Sequence, residues 1–518
     1  MEGKSCVQIK SYADSIGSQN MSEKSELNGA VENGRNESKI ATLPKQIAEG
    51  EPLLEETRKE KARLRLKQAL AIGGPFIITL GVGMTSGFSA VLLPQLMSNE
   101  TTIQITQDQS SWIASLAVPP MAVGCILSGY LMEEFGRRLI QMFTSMLFVI
   151  AWVIVSVSTS VEVLYVGRIV SGLSAGLLSP LCLVYIAEVS DPVIRGTFLA
   201  SIPLAISTGV LVSHSLGTFL NWKLSAAICA VFPLVSYIFY YFAPESPLWL
   251  ANKGYTKKAE ETFRYLRGYS KSSSDELHIL LNRTTKAKDK SSEINKETVK
   301  RILSPTFLKP LITMLVLFFI QQFSGINAVI YYSVDILKST TSNVNEYLAT
   351  IIVDILRVIM SVTMCFVMKK YNRRSLALFS TIATGISLLL FSLAFRFLPQ
   401  NYSWVNFVII SLYICCVYSG LVQIPWILTG EIFPTTMREI GSGGCTCFAF
   451  LMFFTVVKTG PVMFSEIGTG NGFLVYAVIA LAGSVFIYFF LPETKNMTLQ
   501  KIGDGYKDDN DNKTVTKV

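Results

Sequence analysis

Residues 136–160 read GRRLIQMFTSMLFVIAWVIVSVSTS. Two arginines stand at one end, and from Leu139 to Ser158 no side chain carries a charge. A bilayer core about 30 Å thick is crossed by about 20 apolar residues of helix. The stretch therefore reads as one membrane span whose basic end faces the cytosol.

Runs of the same kind recur outward from it along the 518-residue chain. They predict twelve helices, at 70–94, 109–132, 139–158, 162–187, 197–219, 223–243, 307–337, 345–368, 375–398, 403–431, 438–464 and 471–491. Half of all residues are hydrophobic and 16% are charged, with mean hydropathy +0.43. An average soluble domain carries about a quarter charged residues, and a soluble globule could not hide so much apolar surface. The expected fold class is an all-α membrane protein, with the lipid bilayer as its first partner.

Composition also removes several chemistries. Only two histidines occur, His214 and His278, and nine cysteines appear without a CxxC pair, which speaks against a metal, a redox site or a histidine-centred hydrolase. No cofactor is expected. A membrane enzyme would need convergent nucleophile, base or metal ligands within the spans, so the chain does not read as an enzyme. The net charge of +8 sits in short blocks beside apolar runs and not on one face, which argues against nucleic acid.

Those blocks set the topology. Arg137 and Arg138, Arg195, the 251–309 segment, Lys369 to Arg374 and Arg438 fall on one side, together with a polar first stretch of 66 residues. Both termini are placed in the cytosol. The 96–110 loop has no Lys or Arg and carries Asn99-Glu100-Thr101; Asn401-Tyr402-Ser403 is a second sequon on the outer side. Asn99 and Asn401 are the expected glycosylation acceptors. The organisation expected is a disordered cytosolic tail (1–66), a six-helix bundle (67–243), a cytosolic helical linker (244–306), a second six-helix bundle (307–492) and a cytosolic tail (493–518). Within the first tail, Glu49-x-x-x-Leu53-Leu54 is similar to an acidic dileucine signal. A sorting adaptor would read Leu53 and Leu54, unless they are a chance leucine pair. The cell membrane is the first expectation for location, an endosomal or lysosomal membrane the alternative.

An internal repeat supports the division into two bundles. Glu188 and Arg195 recur as Glu431 and Arg438, both 243 positions on; Arg137-Arg138 recurs as Arg373-Arg374, 236 on; Pro244-Glu245-Ser246-Pro247 recurs as Pro492-Glu493-Thr494-Lys495, 248 on. Duplicated bundles of this kind hold substrate near mid-membrane, between their halves.

Several motifs together resemble the sugar porters of the major facilitator superfamily over about residues 68–502. They are Gly129-x-x-x-Glu133-x-x-Gly136-Arg137-Arg138, Gly167-Arg168, Tyr185-x-x-Glu188 with Arg195-Gly196, Pro244-Glu245-Ser246-Pro247-x-Trp249-Leu250, Gln321-Gln322-x-x-Gly325-x-Asn327-x-x-x-Tyr331-Tyr332, Ile424-Pro425-Trp426 and Pro492-Glu493-Thr494-Lys495. Within the family, Thr85-Ser86-Gly87-Phe88-Ser89 and Ser110-Ser111-Trp112-Ile113 are most similar to the insect facilitated trehalose transporters. The resemblance implies the major facilitator fold and transport of a small-molecule sugar by alternating access.

A sugar offers many hydroxyls and a few C–H faces, so its site needs neutral amides and an aromatic floor. Gln321, Gln322 and Asn327 supply the amides. On one continuous helix they would project into a broad common sector, although polar residues in membranes also serve as glue between helices. The family resemblance implies that these amides bind sugar, that Trp426 lines the cavity and that Tyr331 and Tyr332 gate it from outside. It also implies a cytosolic salt-bridge latch made by Arg137, Arg138, Glu188, Arg195 and Glu245 in one half and Arg373, Arg374, Glu431, Arg438 and Glu493 in the other. Charge blocks that merely set topology are the alternative.

Departures from the family bear on substrate. Pro203 and the Ala449-Phe450 pair replace polar residues of glucose carriers, and Arg357 takes the place of a family asparagine that resembles a sugar contact. A guanidinium at that depth costs at least about 2.5 kcal/mol if exposed to lipid. Arg357 is therefore expected to face the cavity and bind substrate, paired with Asp354 one turn earlier, or to form a structural ion pair only. The first span, 70–94, holds no acid, whereas proton-coupled members of the family carry one there. The function expected is a sugar uniporter, with trehalose or a hexose such as glucose as substrate; a proton-coupled symporter and a non-transporting nutrient sensor are the alternatives.

Overall fold

The computed structural model describes residues 37–98, 103–269, 273–278, 280–281, 304–340, 345–399, 402–433 and 438–493. Residues 1–67 form one compact unit and residues 68–518 another. In the first unit the described residues are helical from Glu37, inside the stretch whose composition reads as a disordered tail. The reason is visible in 55–66, EETRKEKARLRL: nearly every residue is a strong helix former. Polarity that prevents a buried core does not prevent a helix.

Among its described residues the second unit consists of helices joined by turns and loops, with no strand. The elements of the described chain are α1 (Glu37–Met97), α2 (Gln107–Ser115), α3 (Val118–Phe135), α4 (Arg137–Val157), α5 (Val161–Val189), α6 (Pro192–Phe219), α7 (Trp222–Cys229), α8 (Val231–Phe242), α9 (Pro247–Asn252), α10 (Thr256–Arg267), α11 (Pro305–Gln322), α12 (Ile326–Tyr331), α13 (Ser333–Thr340), α14 (Glu346–Lys370), α15 (Arg373–Phe397), α16 (Ser403–Tyr418), α17 (Ile424–Glu431), α18 (Arg438–Ile467) and α19 (Thr469–Phe490). Eleven segments of the described chain are long and apolar enough to cross a bilayer, α1 contributing Ala62–Met97. The expected span at 403–431 is broken into α16 and α17 and so falls short of a continuous crossing. The span at 307–337 is likewise divided, into α11, α12 and α13.

Helix is the form these segments must take, since backbone groups in lipid have only each other to bond. Where a helix breaks, other groups take over the freed partners. At the α16–α17 break the Leu421 amide donates to Ser380 Oγ on α15 (2.9 Å), and that hydroxyl donates to the Cys416 carbonyl (2.7 Å). The α11–α12 break turns on Gly325, at φ +82°. A Cβ there would lie 2.5 Å from the Tyr476 ring, so only glycine fits both the left-handed backbone and the space. Side chains such as Ile126, Tyr130, Phe143, Ile150, Phe366 and Phe379 are left exposed around the bundle, an apolar belt of the kind that lipid covers.

Within the first half α3 packs on α5, and α4 on α5 and α8; within the second, α15 packs on α16 and α19. The halves meet along two seams, α6 against α14 and α3 against α18. On the first seam Ser207 Oγ and Ser361 Oγ lie 2.9 Å apart. Between the halves run α9, α10 and a helical piece at 273–278. Arg267 ties that linker to the membrane helices, donating to the Ser190 carbonyl (2.6 Å) and to Glu276 Oε2 (2.8 Å). Burial lowers the affinity of Arg267 for its proton, and Glu276 opposes that.

Candidate functional site

The two broken helices of the second half meet each other. Tyr413 Oη on α16 donates to the carbonyl of Ser324, in the α11–α12 break (2.9 Å). Gln321, at the end of α11, donates through Nε2 to the carbonyl of Val422, in the α16–α17 break (3.0 Å). Each break leaves a carbonyl without its helical partner, and a side chain from the other break satisfies it.

On this frame the amides converge. Gln322 Nε2 lies 3.4 Å from Gln321 Oε1, and Asn327 Nδ2 donates to Gln322 Oε1. Gln321 and Gln322 are buried and Asn327 is half-buried. The convergence expected from one continuous helix is present although the turn at 323–325 interrupts that helix, Asn327 reaching Gln322 from the far side of the turn. Trp426 of α17 is half-buried and stands edge-on to Phe318 (centroids 5.0 Å), with Phe450 at 6.1 Å. Gln321 bonds to Val422, four residues before Trp426, and amides together with an indole are groups suited to a polyol with apolar faces.

Tyr331 ends α12 and Tyr332 follows it. Tyr331 packs edge-on against Phe453 of α18 (5.5 Å), and Tyr332 Oη donates to the Val457 carbonyl (3.0 Å). The next residue, Lys458, crosses to the first half: its Nζ is 3.0 Å from Asp108 Oδ1, 2.7 Å from Ser111 Oγ and 4.0 Å from the Trp112 ring centroid. A capping box fixes that target, with Thr106 Oγ1 accepting from the Gln109 amide and Gln109 Oε1 from the Thr106 amide. Sequence reading passed over Lys458, although a lysine inside an apolar run at 438–464 was the available signal.

Arg357 is fully buried, its Nη1 2.8 Å from Asp354 Oδ1, and its Cζ stands 5.7 Å from the Tyr418 ring centroid. The expected pair within α14 is therefore present. The other carboxylate oxygen, Oδ2, lies 2.5 Å from Nδ1 of His214, on α6 of the opposite half. Sequence reading gives no signal for His214 here, because it stands 140 positions from Asp354. Arg168 is also buried; it donates to the Thr85 carbonyl (3.1 Å) and to Ser89 Oγ (3.0 Å), both on α1.

The charges expected to form a latch show the repeat in three dimensions. Arg137 donates to Glu188 Oε1 (3.0 Å), and its amide and that of Arg138 point at the Glu245 carboxylate (3.0 and 3.1 Å). In the second half the amides of Arg373 and Arg374 point at Glu493 in the same way (3.0 and 3.1 Å). Arg137 Nη1 donates to the Met132 carbonyl and Arg373 Nη1 to that of Met368. Each glutamate is an anion at the N-terminus of a helix, α4 or α15, where the macrodipole favours it. Burial raises the Glu245 carboxyl above the usual range, opposed by the amides of Ser246, Arg138 and Arg137 and by the Arg137 charge. These contacts brace one end of each half from within. Arg195 Nη2 lies 3.5 Å from the Ser190 carbonyl. The side chains of Glu431, Arg438, Leu53 and Leu54, and all of Asn99 and Asn401, lie outside the described residues.

The family model for sugar (and other) transporters matches residues 67–506. The facilitated trehalose transporter Tret1 of Culex quinquefasciatus is 30% identical over 449 residues, covering 85% of this chain and 86% of that protein. Tret1 of Bombyx mori is 29% identical, covering 88% and 89%. Among solved structures, the inward-open xylose transporter XylE from E. coli superposes with a TM-score of 0.70 at 21% identity, covering 85% of this chain and 99% of that one. The fold is thus that of the major facilitator superfamily, and the protein is a multi-pass membrane transporter, not an enzyme. The chain belongs to the sugar (and other) transporter family.

Proposed function

We propose that the protein is a facilitative sugar carrier working by alternating access, and that trehalose or a hexose such as glucose is its substrate. The observation that carries the reading is the amide cluster Gln321, Gln322 and Asn327, held where two broken helices meet. Arg357 adds a cationic donor, and Tyr331 and Tyr332 form the gate. The relatives named above as facilitated trehalose transporters support the substrate class. Passive transport is favoured because the first span, 70–94, holds no acid, and Arg168 meets a carbonyl and a hydroxyl of α1. Both termini are assigned to the cytosol, with the cell membrane as the location. An endosomal or lysosomal membrane is the second location, motivated by Glu49 and the Leu53-Leu54 pair.

Uptake of radiolabelled trehalose and glucose into proteoliposomes tests this. One of the two should equilibrate across the bilayer without accumulating. Accumulation above the bath that a protonophore abolishes would turn the reading to symport, and no uptake of either sugar would remove it.

A further inference from the structure

We infer that His214 is a positioning residue for Arg357: from the first half it holds one oxygen of Asp354, and so leaves the Arg357 guanidinium free to meet the transported sugar. The inference rests on the proposed role of Arg357 as a sugar contact.

A carboxylate facing a guanidinium ordinarily takes it with both oxygens, in two parallel N–H···O bonds. Asp354 is divided instead. Its Oδ2 is occupied by His214 Nδ1 at 2.5 Å, and only Oδ1 remains near Arg357, 2.8 Å from Nη1. That contact is close but off the hydrogen-bonding axis, and none of Arg357 Nε, Nη1 and Nη2 has a directed acceptor. All three side chains are at most 1% exposed. An ionised carboxylate only accepts, and with Asp354 in that form the proton of this bond is on His214 Nδ1. Nε2 turns toward Gly87 of α1, where a Cβ would stand 3.1 Å away.

Unspent donors on a buried guanidinium are costly unless acceptors reach them, and sugar hydroxyls are acceptors. Their place is close to the amide cluster. Arg357 lies over Tyr418, and Gln321 bonds to Val422, four residues further along the same break.

The arrangement also ties recognition to the conformational cycle. His214 sits on α6 and Asp354 on α14, the two helices of one seam between the halves. When the seam opens, His214 leaves, Oδ2 turns to Arg357, and the chelated guanidinium no longer serves the sugar. Opening thereby promotes release.

The test compares KM and Vmax in proteoliposomes, with radiolabelled trehalose and glucose as probes, for wild type, H214A, H214N, R357N and H214A/R357N. Asparagine places its amide nitrogen where Nδ1 stands and so keeps the bond to Asp354. The expected result is a KM for the carried sugar raised roughly tenfold in H214A, as for one lost hydrogen bond to a charged donor, with most of the affinity recovered in H214N. H214A should add nothing to the KM of R357N. Should H214A fail to reach the membrane, H214Q, whose amide overshoots Asp354, replaces it in the comparison. A purely structural histidine would lower protein yield and Vmax and leave KM in place. A wild-type KM in H214A, with R357N impaired, overturns the inference alone. An unchanged KM in R357N overturns the sugar-contact reading beneath it.

Discussion

Replacing Asp354 by asparagine preserves shape and removes one charge, and the loss should be severe. Arg357 is fully buried and Asp354 is the only carboxylate seen beside it among the described residues. Breaking a buried pair by removing one partner costs about 3–5 kcal/mol, because the remaining charge is uncompensated. His214 also loses its charged acceptor on the far side of the seam. Native proteins are stable by about 5–15 kcal/mol in total, so D354N should cut the yield of folded protein sharply. The double variant D354N/R357N removes both charges and should recover most of the loss, since apolar or neutral replacement of a whole buried pair is often neutral. Thermal unfolding midpoints of detergent-purified protein, with the fraction reaching the membrane, measure this. A D354N protein as stable as wild type, or a double variant as unstable as D354N, would refute the view that the buried charges compensate each other.

Three more outcomes follow from the geometry. Q322A, and separately N327A, should weaken sugar uptake by about 1–3 kcal/mol of binding while the protein still reaches the membrane, because each leaves a buried partner unpaired; normal uptake in both would remove the site assignment. G325A should cost about 1–2 kcal/mol for the left-handed backbone alone, and more for the contact with Tyr476, so uptake and thermal stability should fall together; an unaffected variant would show that the α11–α12 turn tolerates a Cβ. Joining D108C to K458C with a short bifunctional thiol reagent should stop transport, whereas either single cysteine variant treated alike should not; continued transport in the joined protein would show that Asp108 and Lys458 need not separate.

The span pattern was legible because the bilayer imposes one length on every crossing, and the duplicated motifs gave the two halves. Two things were not legible. Helix breaks at 323–325 and 419–423 depend on partners far away in sequence, Ser380 for Leu421 and Tyr413 for Ser324, which no local propensity reveals. Cross-half pairs were hidden for the same reason. The Asp354–Arg357 pair could be read from its three-residue spacing, but its third member, His214, is 140 positions away.

The distribution of polar contacts bears on how the halves move. Glu245 and Glu493 fasten helix starts inside their own halves, each through two backbone amides, and the Arg137–Glu188 bond is partly buried. Such bonds to charged groups are worth about 1.5–3 kcal/mol each, enough to keep a bundle rigid. The Lys458–Asp108 contact between the halves is far more exposed, and exposed pairs are worth about 0–1 kcal/mol. Rocking of one rigid bundle on the other therefore has to break few strong contacts. The exception is His214–Asp354, the one buried charged contact seen between the halves among the described residues. It is the contact whose loss would most change the balance between conformations, since a shift of a few kcal/mol is enough to invert a two-state equilibrium.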